Sequence, residues 1–220
     1  MTLGALFNHF FTSPHKDWML SWDNALRLTQ FVKGRNIKNV LELGTGIGCS
    51  ASVLALALPE AKIHTVEQFD KCIKIANDLI PVELKKNITI YKSDVVVWQT
   101  PENPYQNLMN FKDIPVNDYD LILVDGPGPF LEDGKLIELP NGDVFKLLIE
   151  GKIKPGAVVV WDKRLLALSI IERYYSDNFY LVKPLKDTRL LNFLERKDNP
   201  LQRNDTRQRS MERMGYFKDL

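Results

Sequence analysis

At 220 residues the chain is long enough for one full domain and short for two of ordinary size. Hydrophobic residues make up 45% and charged residues 26%, a balance that excludes a disordered, collagen-like or disulfide-dense polypeptide. With 29 Lys and Arg against 28 Asp and Glu, the net charge of +1 singles out neither nucleic acid nor an anionic membrane, so any partner must be read from a site. The only cysteines, Cys49 and Cys72, point to a reducing compartment and free thiols. The longest apolar run, around Ala51 to Leu58, falls far short of the roughly 20 residues that span a bilayer, and no basic segment leads into an apolar N-terminal stretch. A soluble, cytoplasmic protein is expected, with no membrane partner.

In chain order, residues 1–20 stand apart as an N-terminal cap segment rich in aromatics, with Phe7, Phe10, Phe11 and Trp18. These serve as core or capping surface, or as a cover over a substrate pocket. Ser21 to Lys33 reads as a helix with Trp22, Leu26, Thr29 and Val32 along one side and Gly34 as its stop. Strands follow at Asn39 to Leu43, Lys62 to Val66, Ile88 to Tyr91, Tyr119 to Val124 and Ala157 to Trp161, each short, apolar and rich in β-branched residues. Between them, Ser50 to Leu58 is apolar all round and stops at Pro59, as a buried helix does. Asp70 can cap the next helix, which ends before Pro81. Asp143 starts another that Gly151 closes, and Leu165 to Tyr175 makes a further one. Strands alternating with helices predict an α/β fold: a Rossmann-like doubly wound sheet, mostly parallel, with helices on both faces. Phe179 to Val182 and Arg189 to Leu194 are separated by too few residues for a helical crossover, so they predict an antiparallel C-terminal hairpin. Thr100 to Asp118 and Gly126 to Gly142 are expected to be long irregular loops. The main domain is placed at residues 21–199, followed by a basic tail at 200–220. The tail's Arg203, Arg207, Arg209 and Arg213 alternate with Asp205 and Glu212, so it reads as a solvated terminus rather than a nucleic-acid contact.

The chemistry concentrates in Val40-Leu41-Glu42-Leu43-Gly44-Thr45-Gly46-Ile47-Gly48, a strand running into a glycine turn and then a helix. Glycines let the backbone turn sharply and approach a ligand closely. The spacing is G-x-G-x-G: Cys49 occupies the last glycine of a dinucleotide fingerprint, and no Lys follows as in a phosphate loop. Glu67 closes the second strand, where an acidic residue in such folds accepts from both ribose hydroxyls. Asp94 follows the third strand and Asp125 ends the fourth. Ligands in open α/β sheets sit beyond these carboxyl ends, and the joint placement of Glu67, Asp94 and Asp125 there, with Glu42 inside the first strand, marks one site.

With these motifs, residues 21 to 195 resemble the class I S-adenosylmethionine-dependent methyltransferases. The resemblance implies S-adenosylmethionine as cofactor. It places Gly44, Gly46 and Gly48 along the methionine part and Glu42 near the ammonium. Glu67 falls on the ribose and Gln68 beside the adenine. Asp94 accepts from the adenine amino group, the Val95 amide meets the ring, and Asp125 lies at the methionine end facing the acceptor. The cofactor carries an ammonium and a sulfonium but no phosphate, so carboxylates suit it and a lysine-free loop suffices. Leu121-Ile122-Leu123-Val124-Asp125 and Val158-Val159-Val160-Trp161-Asp162 resemble strand ends of small-molecule O-methyltransferases of the catechol type. Those relatives hold a divalent metal with an Asp and a following Asp-Asn pair. Here Asp162-Lys163 replaces the pair, which removes an oxygen ligand and adds a positive charge, so no metal is expected.

The expected activity is methyl transfer to an oxygen, or else a nitrogen, of a small-molecule acceptor, with Asp125, Asp162 and Lys163 as candidate catalytic residues. Two alternatives stand beside it: an aminopropyl transferase of the polyamine-synthase type, and a non-catalytic cofactor-binding subunit. The former expects an acidic residue where Thr45 or Ile47 stands. Gly126-Pro127-Gly128-Pro129-Phe130 fails to match the contiguous Asp-Pro-Pro-aromatic loop of DNA amino-methyltransferases and reads as a rigid turn. His9, His15 and His64 have no ligand or triad spacing, and His64 reads as a structural histidine.

Overall fold

The structure is a computed structural model that describes residues 1–99, 107–161, 170, 179–181 and 192–196. Its centre is a seven-stranded sheet in the order β10-β11-β9-β6-β1-β2-β3. Five parallel strands, β1 (Asn39–Leu43), β2 (Lys62–Glu67), β3 (Ile88–Lys92), β6 (Leu121–Val124) and β9 (Val158–Trp161), match the five expected runs within two residues. β11 (Asn192–Arg196) pairs antiparallel with β9, and β10 (Phe179–Leu181) antiparallel with β11, so the predicted hairpin closes one side of the sheet. The expected residues 182 and 189–191 of that hairpin lie outside the described residues, as does the basic tail. Of the expected helix Leu165 to Tyr175 only Ile170 is described; it is helical and buried.

Side chains alternate along each strand and so build two cores. Val40, Leu121, Leu123, Val158 and Val160 face one, while Leu41, Leu43, Ile122, Val124, Val159 and Trp161 face the other. The first core is covered by α1 (Leu3–Phe11), α2 (Trp22–Val32) and α3 (Cys49–Ala57). Residues 1–20 are therefore no loose flap: Thr2 caps α1 by accepting from the Ala5 amide, and Leu6 and Phe10 are wholly buried. The expected face of α2 is corrected. Ala25, Leu28, Phe31 and Val32 are buried, whereas Trp22 is exposed and only meets Phe7 edge-on at 5.0 Å. The buried side also carries Asn24, and its apolar members Ala25, Leu28, Phe31 and Val32 all join the first core. α4 (Asp70–Leu79) and the short α5 (Val82–Lys85) lead into β3. Asp70 is the first helical residue of α4 rather than its cap, and its carboxylate pairs with Lys92 at 2.9 Å.

The second expectation corrected is that of two irregular loops. Residues 95–111 contain an antiparallel pair, β4 (Val95–Gln99) and β5 (Asn107–Phe111), and 126–142 contain a tight hairpin, β7 (Phe130–Glu132) and β8 (Lys135–Ile137). Asp133 and Gly134 both have positive φ, +50° and +76°, the geometry that two-residue hairpins prefer. The two excursions are stitched together. Met109 donates its amide to the Pro140 carbonyl and accepts from Gly142. Asp143, the first residue of α6 (Asp143–Ile149), accepts the Phe111 amide at 2.8 Å.

His64 behaves as a satisfied structural residue. The Tyr119 hydroxyl donates its single proton to the Pro115 carbonyl at 2.7 Å, so His64 Nδ1, 3.0 Å from the same oxygen, must be the donor.

Candidate functional site

β1 has β2 on one side and β6 on the other, so strand order reverses between β1 and β6. A doubly wound sheet opens a crevice at that point, beyond the strand ends. A cleft of about 430 Å³ lies there, lined by Gly44, Gly46, Glu67, Gln68, Asp125 and the 126–129 turn, with Trp18, Phe69, Cys72 and Phe111 supplying apolar wall. Among the described residues no Lys, Arg or His lines it, and the two carboxylates make it acidic.

The glycine turn is tight because two backbones touch. A Cβ on Gly44 would lie 2.6 Å from the Gly126 nitrogen and 2.8 Å from the Asp125 carbonyl carbon, and Gly44 has φ +96°. Gly46 also has positive φ but open space beside it, the nearest atom being the Trp18 carbonyl oxygen at 3.7 Å. It is the glycine that leaves room for a ligand. Gly48 has a different task, since a Cβ there would strike Ile80 of the α4–α5 turn at 2.7 Å.

Behind the turn, Glu42 is fully buried. Its Oε2 accepts from the Thr65 hydroxyl at 2.6 Å. Because that proton is spent, the Thr45 hydroxyl must donate to Thr65, also at 2.6 Å. A relay thus runs from the turn through β2 to β1. Among the described residues Glu42 Oε1 has no hydrogen-bond partner, and burial pushes the carboxyl up to about 7 against the opposing Ser50 and Thr65 hydroxyls.

Glu67 Oε1 accepts the amides of Gln68 and Phe69 at 2.8 and 2.9 Å, and Oε2 accepts that of Gly46 at 2.9 Å. Three of about four lone-pair sites are therefore used, leaving one on Oε2 at the cleft. Asp125 is exposed at the mouth, held by its amide on the Leu43 carbonyl at 2.8 Å.

Gly44, Gly46, Glu67, Gln68 and Asp125 thus come together in the cleft, with Glu42 beneath it. Asp94 is exposed and Val95 half-buried at the start of β4, and neither lines the cleft. Asp162 and Lys163, directly after β9, lie outside the described residues. Sequence reasoning did not anticipate Phe111 in the wall, because nothing in its neighbourhood signalled the β4–β5 pair. A second cavity of about 240 Å³, under residues 112–119 and α6, shares none of this architecture.

Comparison with known proteins agrees with this geometry. The model of the O-methyltransferase family matches residues 2–127. A ribosomal protein uL3 glutamine methyltransferase from Burkholderia pseudomallei is 32% identical over 106 residues, 47% of this chain and 31% of that protein, so the match spans about a third of the relative's length. In fold, the chain is similar to the Podospora anserina methyltransferase PaMTH1, solved with S-adenosylhomocysteine bound (TM-score 0.60, 18% identity, 88% of each chain covered). It is likewise similar to a methyltransferase from Geobacter sulfurreducens (TM-score 0.57, 12% identity, 90% and 89% covered). Since the family model takes in the glycine turn, the Glu67 corner and Asp125, and more than half of the sequence, the chain belongs to the O-methyltransferase family, whose cofactor is S-adenosylmethionine.

Proposed function

We propose that the protein transfers the methyl group of S-adenosylmethionine to an oxygen of a small-molecule acceptor. The observation that carries this reading is the acidic, otherwise apolar cleft at the β1/β6 switch point, backed by a buried Glu42 oxygen without a partner. That donor set suits a group bearing cationic ammonium and sulfonium centres and no phosphate. When bound, the cofactor supplies an electrophilic methyl. Gly46 gives its methionine part room, Gly44 lets the turn close against residues 125 and 126, and Glu67 Oε2 keeps one lone pair for a ribose hydroxyl rather than the two acceptor sites expected from sequence. Asp125 stands on the acceptor side. Trp18, Phe69, Phe111 and the prolines of 127 and 129 give the cleft apolar walls that would shed water against a bound ligand, which favours displacement in a held, in-line geometry. Asp162 and Lys163 are proposed to take the acceptor's proton, on their position after β9 alone.

A second reading, methylation of an amide nitrogen, draws on the glutamine methyltransferase similarity. The turn after Asp125 favours oxygen: Gly126 cannot be replaced by the proline of a contiguous Asp-Pro-Pro loop, since a Cβ there would lie 2.6 Å from Gly44 Cα. Isotope-labelled methyl transfer to a panel of phenols and alcohols, set against amides and amines, tests the choice. Label on nitrogen acceptors alone would reject the oxygen reading.

Two outcomes are expected at the site. Glu67→Ala should weaken S-adenosylhomocysteine binding by about 1.5–3 kcal/mol, the worth of a hydrogen bond to a charged group, and unchanged affinity in calorimetry would remove Glu67 from the site. Chelator should leave turnover intact while Lys163→Ala lowers kcat by roughly 10²–10⁴-fold. Turnover lost with chelator and restored by magnesium would establish a metal instead.

A further inference from the structure

Gln68 sits at the adenosine end of the cleft, yet its side chain is committed elsewhere. Its Oε1 accepts the Gly128 amide at 2.9 Å and its Nε2 donates to the Pro129 carbonyl at 3.2 Å, across 60 and 61 positions of sequence. Its own amide donates to Glu67 Oε1, and its carbonyl accepts from Lys92 Nζ at 2.6 Å. Each amide atom spends one of its two hydrogen-bonding sites on the turn, so the orientation of the amide is set by the turn and only the second hydrogen or lone pair is left for a ligand. The other end of that turn is pinned too, because Asn141 Nδ2 donates to the Gly126 carbonyl and to Asp143 Oδ2. Beyond Pro129 the chain enters the β7–β8 hairpin, where the cross-strand partners Leu131 and Leu136 are 72% and 68% exposed.

We propose that Gln68 is a positioning residue that ties the acceptor-side wall, residues 126–137, to the Glu67 corner, so that filling the adenosine end orders the wall before the acceptor arrives. The proposal rests on the cofactor reading above. The physical reason is local. Prolines at 127 and 129 carry no N–H, so the Gly128 amide is the one backbone donor within residues 127–129, and Gln68 grips it together with the Pro129 carbonyl. Glu67, next in sequence, holds the Gln68 amide and carries the free lone pair at the cleft. A ligand on that carboxylate stiffens the residue that carries the clamp.

Amide hydrogen exchange resolved by NMR on the full chain tests this, because the Gly128 amide reports the clamp directly. In the unmodified protein, saturating S-adenosylhomocysteine should slow exchange at Gly128 and in residues 130–137 about tenfold. Gln68→Leu should strip Gly128 of its protection without ligand and abolish the response of 130–137, with the dissociation constant rising by no more than the roughly tenfold that the lost coupling accounts for. Gln68→Glu keeps an acceptor for Gly128 and loses the donor to Pro129, so it should restore Gly128 protection and only part of the hairpin response. An equal slowing of 130–137 in Gln68→Leu would overturn the proposal. So would an affinity loss beyond tenfold with wall exchange unchanged, which would make Gln68 a cofactor contact. Absence of S-adenosylhomocysteine binding to the unmodified protein would overturn the cofactor reading and the coupling with it. The ligand-free comparison of Gly128 exchange tells that failure from failure of the clamp.

Discussion

Gly44→Ala is expected to cost about 2–5 kcal/mol of stability, the sum of overpacking and left-handed strain at one residue, and to eliminate cofactor binding. The added methyl would meet backbone on every near side: the Gly126 nitrogen at 2.6 Å, and the Asp125 carbonyl carbon and Gly126 Cα at 2.8 Å. Backbone cannot swing aside as a side chain can, and here it belongs to the neighbouring strand's exit. The only relief is to part β1 from β6, which are hydrogen-bonded up to Leu43 and Val124, and parting them opens the floor of the cleft. Gly46→Ala is the control. It shares the positive φ but has room, so the cost should be about 1 kcal/mol, with weaker binding in a fold that survives. Denaturant unfolding and calorimetry on both variants read the difference. A Gly44→Ala protein as stable as Gly46→Ala would refute the close approach.

The second large effect is a pH dependence centred on Glu42. Its folded-state value of about 7 lies above the 4.5 of an unperturbed carboxyl, with burial as the main cause. Below the unfolded value both states are protonated and the group costs nothing. As pH rises from about 4.5 to about 7 the unfolded chain gives up its proton first, so stability falls, and above the folded value the loss is constant at about 3 kcal/mol. Glu42→Gln should therefore unfold like the unmodified protein near pH 4.5 and be the more stable of the two at pH 8. Ligand binding should run the other way. An ammonium brought near the carboxylate favours its charged form, so affinity for S-adenosylhomocysteine should climb with pH up to about 7 in the unmodified protein and stay flat in Glu42→Gln. Parallel stability curves for the two proteins across this range would show that Glu42 does not titrate there.

What could be read from sequence was what is encoded locally. β6 and β9 are continuous apolar runs because both of their faces are buried, β2 and β3 are marked by their β-branched residues, and the glycine turn carries its geometry in its spacing. The β7–β8 hairpin was also within reach, since Asp133-Gly134 between Phe-Leu-Glu and Lys-Leu-Ile is a two-residue turn signal that the loop reading passed over. The face of α2 was not, because two stripes competed and packing against α1 and α3 decided between them. Nor were the roles of Gln68, Asn141 and Asp143 legible. Each side chain serves a backbone group that chain folding brings close, such as the Phe111 amide 32 positions before Asp143.

The stitching of Met109 to Pro140 and Gly142, and of Phe111 to Asp143, carries a consequence for how this scaffold diversifies. Residues 95–111 and 126–143 form a single stitched unit, so a change of length or course in one segment disturbs the other. A chimera importing 95–111 alone from a relative would displace the backbone amide that the wholly buried Asp143 accepts, and its thermal midpoint should drop until the relative's counterpart of 126–143 is imported as well. New acceptor preferences in this architecture would then arise by paired replacement of two distant stretches of sequence rather than by drift in either one.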